Sequence, residues 1–251
     1  AHGSPLVVQV TRVLASGAVL AELADGMLLR VAGGAAARML DHATAAQRAL
    51  AAAAPDLAER LVVPEATGTC GTVGWTLERR AAGVHPRDVT PALHSDVEAF
   101  LVALHRAPAT DLPPAPGPRE DAAVLAPHVQ APERLAQIVE TLEGRLAEVA
   151  RGWCHGDFWS TNLLVRDGRL ATVLDWDAAA PGSLPMLDLV HLIGLADRDL
   201  RRRSLGARCI ERLWPLARAG GDVRLRDYCA ATGTPDDPRT LEALTVAYWL
   251  S

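Results

Sequence analysis

The chain has 251 residues, and all 25 of its basic side chains are arginine, with no lysine anywhere. At 49% hydrophobic and 22% charged, with 46 alanines, the composition is globular rather than disordered or fibrous, and the length suffices to bury a core without staples. A net charge of −5 lacks the clustered positive charge of a nucleic-acid binder, and no apolar run reaches the roughly 18 to 20 residues of a membrane span. With no signal-peptide pattern, these features point to a cytoplasmic protein without nucleic-acid or membrane partners.

Four cysteines, Cys70, Cys154, Cys209 and Cys229, lie far apart with no CxxC pair, which fits a reducing compartment and argues against structural zinc. Cys154 reads as a partly buried thiol rather than a nucleophile. The opening AHGS reads as an expression scar, and an apolar helical pattern at the end is consistent with a longer native protein. Residues 84–150 hold 10 acids against 5 arginines, whereas residues 184–251 hold 9 against 10, so acidity is concentrated in the middle.

In chain order, VVQV, AVLAEL and MLLRV are separated by Ser16-Gly17 and Asp25-Gly26, which predicts a β-meander from Val7 to Val31. The alanine-rich run 36–54 predicts a helix stopped by Pro55, and Thr72–Arg79 a further strand. Thr90-Pro91 is an N-cap signal for a helix with Leu93, Val97, Phe100, Leu101 and Leu104 on one face. The Pro-rich APATDLPPAPGP predicts a surface loop, followed by an amphipathic helix from Pro132. LLV-RDG-RLATVLDW predicts a hairpin about Asp167-Gly168, after which helical patterns run from Pro181-Gly182 to Trp249. Arg201, Arg202 and Arg203 read as a solvated helix face.

The hairpin is flanked by WCHGDFWSTN and LDWD. Antiparallel pairing brings Asn162 back beside Asp175, with Asp157 in the loop just before. A carboxylate can accept a hydroxyl proton, and an amide oxygen with a second carboxylate offers hard ligands for Mg²⁺. That is the equipment of phosphoryl transfer, in which positioning and charge neutralisation carry the catalysis.

The string His155-Gly156-Asp157, Asn162 and Asp175 resembles the aminoglycoside phosphotransferase and choline kinase family, relatives of the protein kinases. Five specified residues at fixed spacing are expected by chance in well under about one in a thousand such chains. The resemblance implies an α+β, two-lobed protein-kinase-like fold. Its small β-rich N-lobe would bind nucleotide over residues 5–83, and its larger, mostly helical C-lobe would carry catalysis and acceptor binding over 84–251. It also implies ATP or GTP with Mg²⁺ and a hydroxylated small-molecule acceptor such as an antibiotic, amino sugar, choline-like amine or sugar.

By the same resemblance Asp157 is the catalytic base, His155 braces its loop, and Asn162 and Asp175 ligate Mg²⁺. Asp188 supports the loop from behind, and Leu77 to Arg80, including Glu78 and Arg79, form a linker whose backbone meets the nucleobase. Asp177 either touches a metal water or substrate or simply ends a strand. The strand that should carry a phosphate-binding lysine has only Arg30, whose planar fork can also clamp phosphate oxygens. Asp41 is the only acid on the following helix, where a Glu is expected as its partner. Ser16 and Gly17 supply a thin phosphate loop. These departures leave a non-catalytic, pseudokinase-like binding module as the alternative. A metal-dependent phosphoesterase would need further His or Asp ligands that the sequence lacks.

Overall fold

The computed structural model describes residues 8–14, 17–87, 90–196 and 204–251. Ser16 and Arg201–Arg203 lie outside them. The chain divides into two compact units, one of residues 1–88 with 161–178, the other of 89–160 with 179–251.

The first unit is built on an antiparallel sheet of order β1-β2-β3-β5-β4, with β1 Val8–Val13, β2 Val19–Leu23, β3 Met27–Gly33, β4 Ala66–Cys70 and β5 Val73–Arg79. Burial alternates along β5, as a strand half-covered on one face requires. Helix α1, Gly34–Ala53, buries Ala36, Ala46 and Leu50, and the short α2, Pro55–Ala58, starts at the predicted proline stop.

Strand β4 was not expected, because ATGTC shows no apolar alternation. Its place is set by a partner: Gly68 lies opposite Trp75 of β5, and a Cβ there would approach the indole to 2.6 Å. Only a glycine leaves room for the ring.

The hairpin of β6, Leu163–Arg166, and β7, Arg169–Val173, belongs to this first unit rather than to the helical part in which the sequence placed it; in the chain these strands follow a three-residue strand, Gly152–Cys154 (β8). Asp167 and Gly168 both have positive φ, 54° and 75°, the two-residue turn whose twist suits a tight hairpin. Backbone bonds fix it to the rest of the unit: Val84 and Val165 exchange N–H···O bonds of 3.0 and 2.8 Å, and the Val173 amide donates to Arg60 at 2.9 Å.

The second unit is mostly helical. Helix α3, Pro91–His105, is capped by Thr90, whose hydroxyl accepts the Leu93 amide at 3.2 Å, and its predicted apolar face is buried. The loop after it docks through the Ala115 amide on the Pro181 carbonyl, 2.8 Å. Then come α4 Pro118–Leu125, α5 Pro132–Leu146, α6 Leu187–Ala196, α7 Leu205–Arg208, α8 Trp214–Arg218, α9 Val223–Thr232 and α10 Pro238–Leu250. A π-turn, Cys209–Leu213, joins α7 to α8. Two short strands, β8 (Gly152–Cys154) and β9 (Ala180–Ser183), pair antiparallel and bracket the hairpin in sequence; their length gives no periodic signal. Among the described residues no helix is long and apolar enough to cross a membrane.

Candidate active site

In the first unit, β3, β5, α1 and the open end of the β6–β7 hairpin enclose a cavity of about 540 Å³. Arg30, Thr76, Glu78, Asn162, Asp175 and Asp177 line it, together with apolar side chains such as Leu20, Met39 and Val62. That size and mixture suit a small organic ligand with a few polar anchors.

Pairing of Leu163 with Val173, and a 2.8 Å bond from the Leu174 amide to the Asn162 carbonyl, set Asn162 beside the strand that leads into Asp175. Asn162 is buried. Asp175 has φ 66°, a left-handed conformation costly for most side chains but tolerated best by Asn and Asp. Trp176 anchors the next position, its indole N–H donating to the Val173 carbonyl at 2.9 Å from full burial.

Arg30 donates from Nε to Glu78 Oε1 at 2.8 Å. Its acid is therefore Glu78 and not Asp41, which is exposed on α1 and stands beside Gly74. Burial raises the Glu78 carboxyl above its ordinary range, against the lowering by the Arg30 charge and hydrogen bond. Beside the pair, Thr76 Oγ1 is buried without a hydrogen-bond partner, a state that a bound ligand would relieve.

Of the segment Leu77–Arg80, expected as a linker, Leu77, Glu78 and Arg79 are the end of strand β5; the Leu77 carbonyl accepts the Glu65 amide at 2.8 Å, and the Arg80 amide reaches the Gly26 carbonyl at 3.3 Å. Those two backbone groups are taken up by pairing, and Glu78 lines the cavity. Arg79, one position on, turns to solvent and pairs with Glu65 at 2.6 Å. Gly17 is exposed, with φ 84° and its amide bonded to the Leu14 carbonyl at 2.9 Å.

In the second unit, the loop after β8 is held from α6. Asp188 Oδ2 accepts the His155 amide at 2.7 Å and Oδ1 the Gly156 amide at 2.9 Å. Burial pushes the Asp188 carboxyl up to about 6, with the two amides pulling it back and Asp157 adding to the rise. His155 is fully buried, and its Nδ1 accepts the Asp157 amide at 3.3 Å, which assigns the ring proton to Nε2. The His155 ring meets Phe158 edge-on, and Phe158 stacks on Phe100 of α3 at 5.9 Å. The Asp157 carboxylate is 41% exposed, open to a substrate, and stands 3.9 Å from His191 Nε2. Burial lowers the His191 value, against the raising effect of the Asp157 charge. His191 follows Asp188 by one helical turn, a spacing that could have flagged it in the sequence. Cys154 is inert: burial first, and then the Asp188 charge, push its thiol up to about 12.

Among the described residues no three His, Cys, Asp or Glu side chains gather to hold a metal ion by themselves. Asn162 and Asp175 together offer one amide oxygen and one carboxylate, a set that fits an ion held largely by phosphates and water.

The profile of the phosphotransferase enzyme family matches residues 15–228. The chain belongs to the phosphotransferase enzyme family. Among curated proteins a sequence search finds no match. Solved structures that this phosphotransferase resembles include an aminoglycoside phosphotransferase from Streptomyces rimosus in complex with ADP and streptomycin, with TM-score 0.63 and 14% identity over 96% of this chain and 91% of that one. A macrolide 2'-phosphotransferase from Brachybacterium faecium has TM-score 0.57 and 18% identity over 98% and 84%. Choline kinase from Streptococcus pneumoniae has TM-score 0.58 and 18% identity over 97% and 83%. The fold is thus the α+β, protein-kinase-like one, and the enzyme is a kinase-type phosphotransferase.

Proposed function

We propose that this phosphotransferase moves the γ-phosphate of ATP or GTP, with Mg²⁺, to a hydroxyl of an antibiotic, amino sugar or related small metabolite. The observation that carries this reading is the gathering of Arg30, Asn162 and Asp175 around one cavity, with Asp157 five residues upstream of Asn162 in the chain. Solved members of the fold in complex with ADP or with GDP support a nucleoside triphosphate as donor.

The roles follow from the chemistry of each group. Arg30 offsets phosphate charge with a planar fork of donors. Asn162 and Asp175 hold Mg²⁺, which when bound neutralises charge on the phosphate oxygens. Asp157 accepts the proton of the acceptor hydroxyl, and the Asp188 carboxylate fixes the loop that carries it through the His155 and Gly156 amides. His155, buried behind Asp157, orders that residue's amide.

Single-turnover transfer from radiolabelled ATP and GTP to a panel of hydroxylated amines, macrolides and sugars tests the reading. Transfer to at least one acceptor, abolished in Asp157→Ala while ADP binding persists, is expected. Nucleotide binding with no transfer to any acceptor or to water would support the binding-module alternative instead, and transfer retained in Asp157→Ala would remove Asp157 as base.

A further inference from the structure

In the register of β3 against β5, Arg30 faces Thr76 and Leu28 faces Glu78, so Glu78 is the diagonal neighbour of Arg30. Side chains alternate along strands, which puts Arg30, Thr76 and Glu78 on the one face that lines the cavity. A diagonal pair is within reach of long side chains, and here the contact is made at 2.8 Å.

The two side chains differ in burial. Glu78 is 6% exposed and Arg30 27%, so the carboxylate is the fixed post and the guanidinium the outer arm. The contact is made through Nε alone. Four of the five guanidinium N–H donors sit on the two Nη atoms, and those are the edge suited to a phosphate fork.

Given the nucleotide reading of this cavity, on which the inference rests, we propose that Glu78 is a positioning residue that aims the Nη edge of Arg30 at the phosphates from within the sheet. The grip on phosphate is then a property of two adjacent strands. It needs no acid from α1 and no movement of that helix to assemble.

ADP affinity with Mg²⁺, measured by calorimetry on wild type, Glu78→Gln, Arg30→Ala and the double variant, tests the proposal. Glu78→Gln keeps the size of the side chain and removes its charge. It is expected to weaken ADP about tenfold, and to add no further loss once Arg30 is alanine. Glu78→Asp, which keeps the charge, is expected to lose less than Glu78→Gln and serves if the glutamine variant does not fold. Unchanged ADP affinity in Glu78→Gln, a loss that persists in full on the Arg30→Ala background, or an equal loss in Glu78→Asp and Glu78→Gln overturns it. Failure of the wild type to bind ADP would instead sink the nucleotide reading itself.

Discussion

The carboxylate of Asp188 on α6 is shared between two consecutive backbone amides, His155 at 2.7 Å and Gly156 at 2.9 Å, so one buried side chain fixes the loop that presents Asp157. Replacing it with alanine strands both donors. Asp188→Ala is expected to cost on the order of 2 to 5 kcal/mol of stability, measured by chemical denaturation, and to reduce turnover in whatever fraction remains folded. A loss below about 1 kcal/mol would contradict this picture.

The same group makes a pH prediction. Its folded value of about 6 exceeds the ordinary 3.8, so folding favours the protonated acid. Linkage from Asp188 therefore adds stability that is fully present below its unfolded value and is lost as pH rises through its folded one. The loop bonds, however, use the carboxylate. Turnover is expected to fall as pH drops through about 6, with no matching fall in Tm from this group. Profiles of kcat and Tm against pH, for wild type and Asp188→Asn, check it; an identical acidic limb in Asp188→Asn would refute the assignment.

Gly152 of β8 lies against α3. A Cβ there would be 1.9 Å from the His105 carbonyl oxygen and 2.5 Å from its ring Nδ1. Because the obstacle includes backbone, the strand or the helix must move. Gly152→Ala is expected to cost about 3 kcal/mol or more, seen as a lowered Tm or loss of soluble protein. A variant with wild-type Tm would show that β8 shifts freely.

Asp175→Ala removes the cavity carboxylate that follows the hairpin. The expected outcome is loss of the Mg²⁺-dependent part of the thermal shift with ADP, leaving a smaller, metal-independent shift. An undiminished Mg²⁺ effect would take Asp175 out of the ligand set.

What the sequence disclosed and what it hid divide along a physical line. The hairpin was readable because Asp167-Gly168 is a strong local turn signal, and Asn162 and Asp175 followed from counting outward along two paired strands. Helix α3 was readable from its cap and its apolar spacing. The partner of Arg30 was not: Glu78 lies 48 residues away, and only the β3–β5 register reveals that the two share a face. Strand β4 was hidden for a related reason, since Gly68 and its neighbours are chosen by the bulk of Trp75 rather than by any preference of their own. Local signals travel in sequence, whereas register and cross-strand fit exist only after folding.

The β6–β7 ladder runs Leu163 to Val173 and Leu164 to Thr172, then Val165 to Leu170, which leaves Ala171 as a surplus residue in one strand. The hairpin thus works as a caliper, whose jaws hold an amide and a carboxylate while its setting screw sits at the far end in a two-residue turn. A change of length there that slips the pairing by one residue would carry every later side chain to the opposite face. A change of length in a turn that never touches the cavity would then silence Asp175 as completely as deleting its carboxylate.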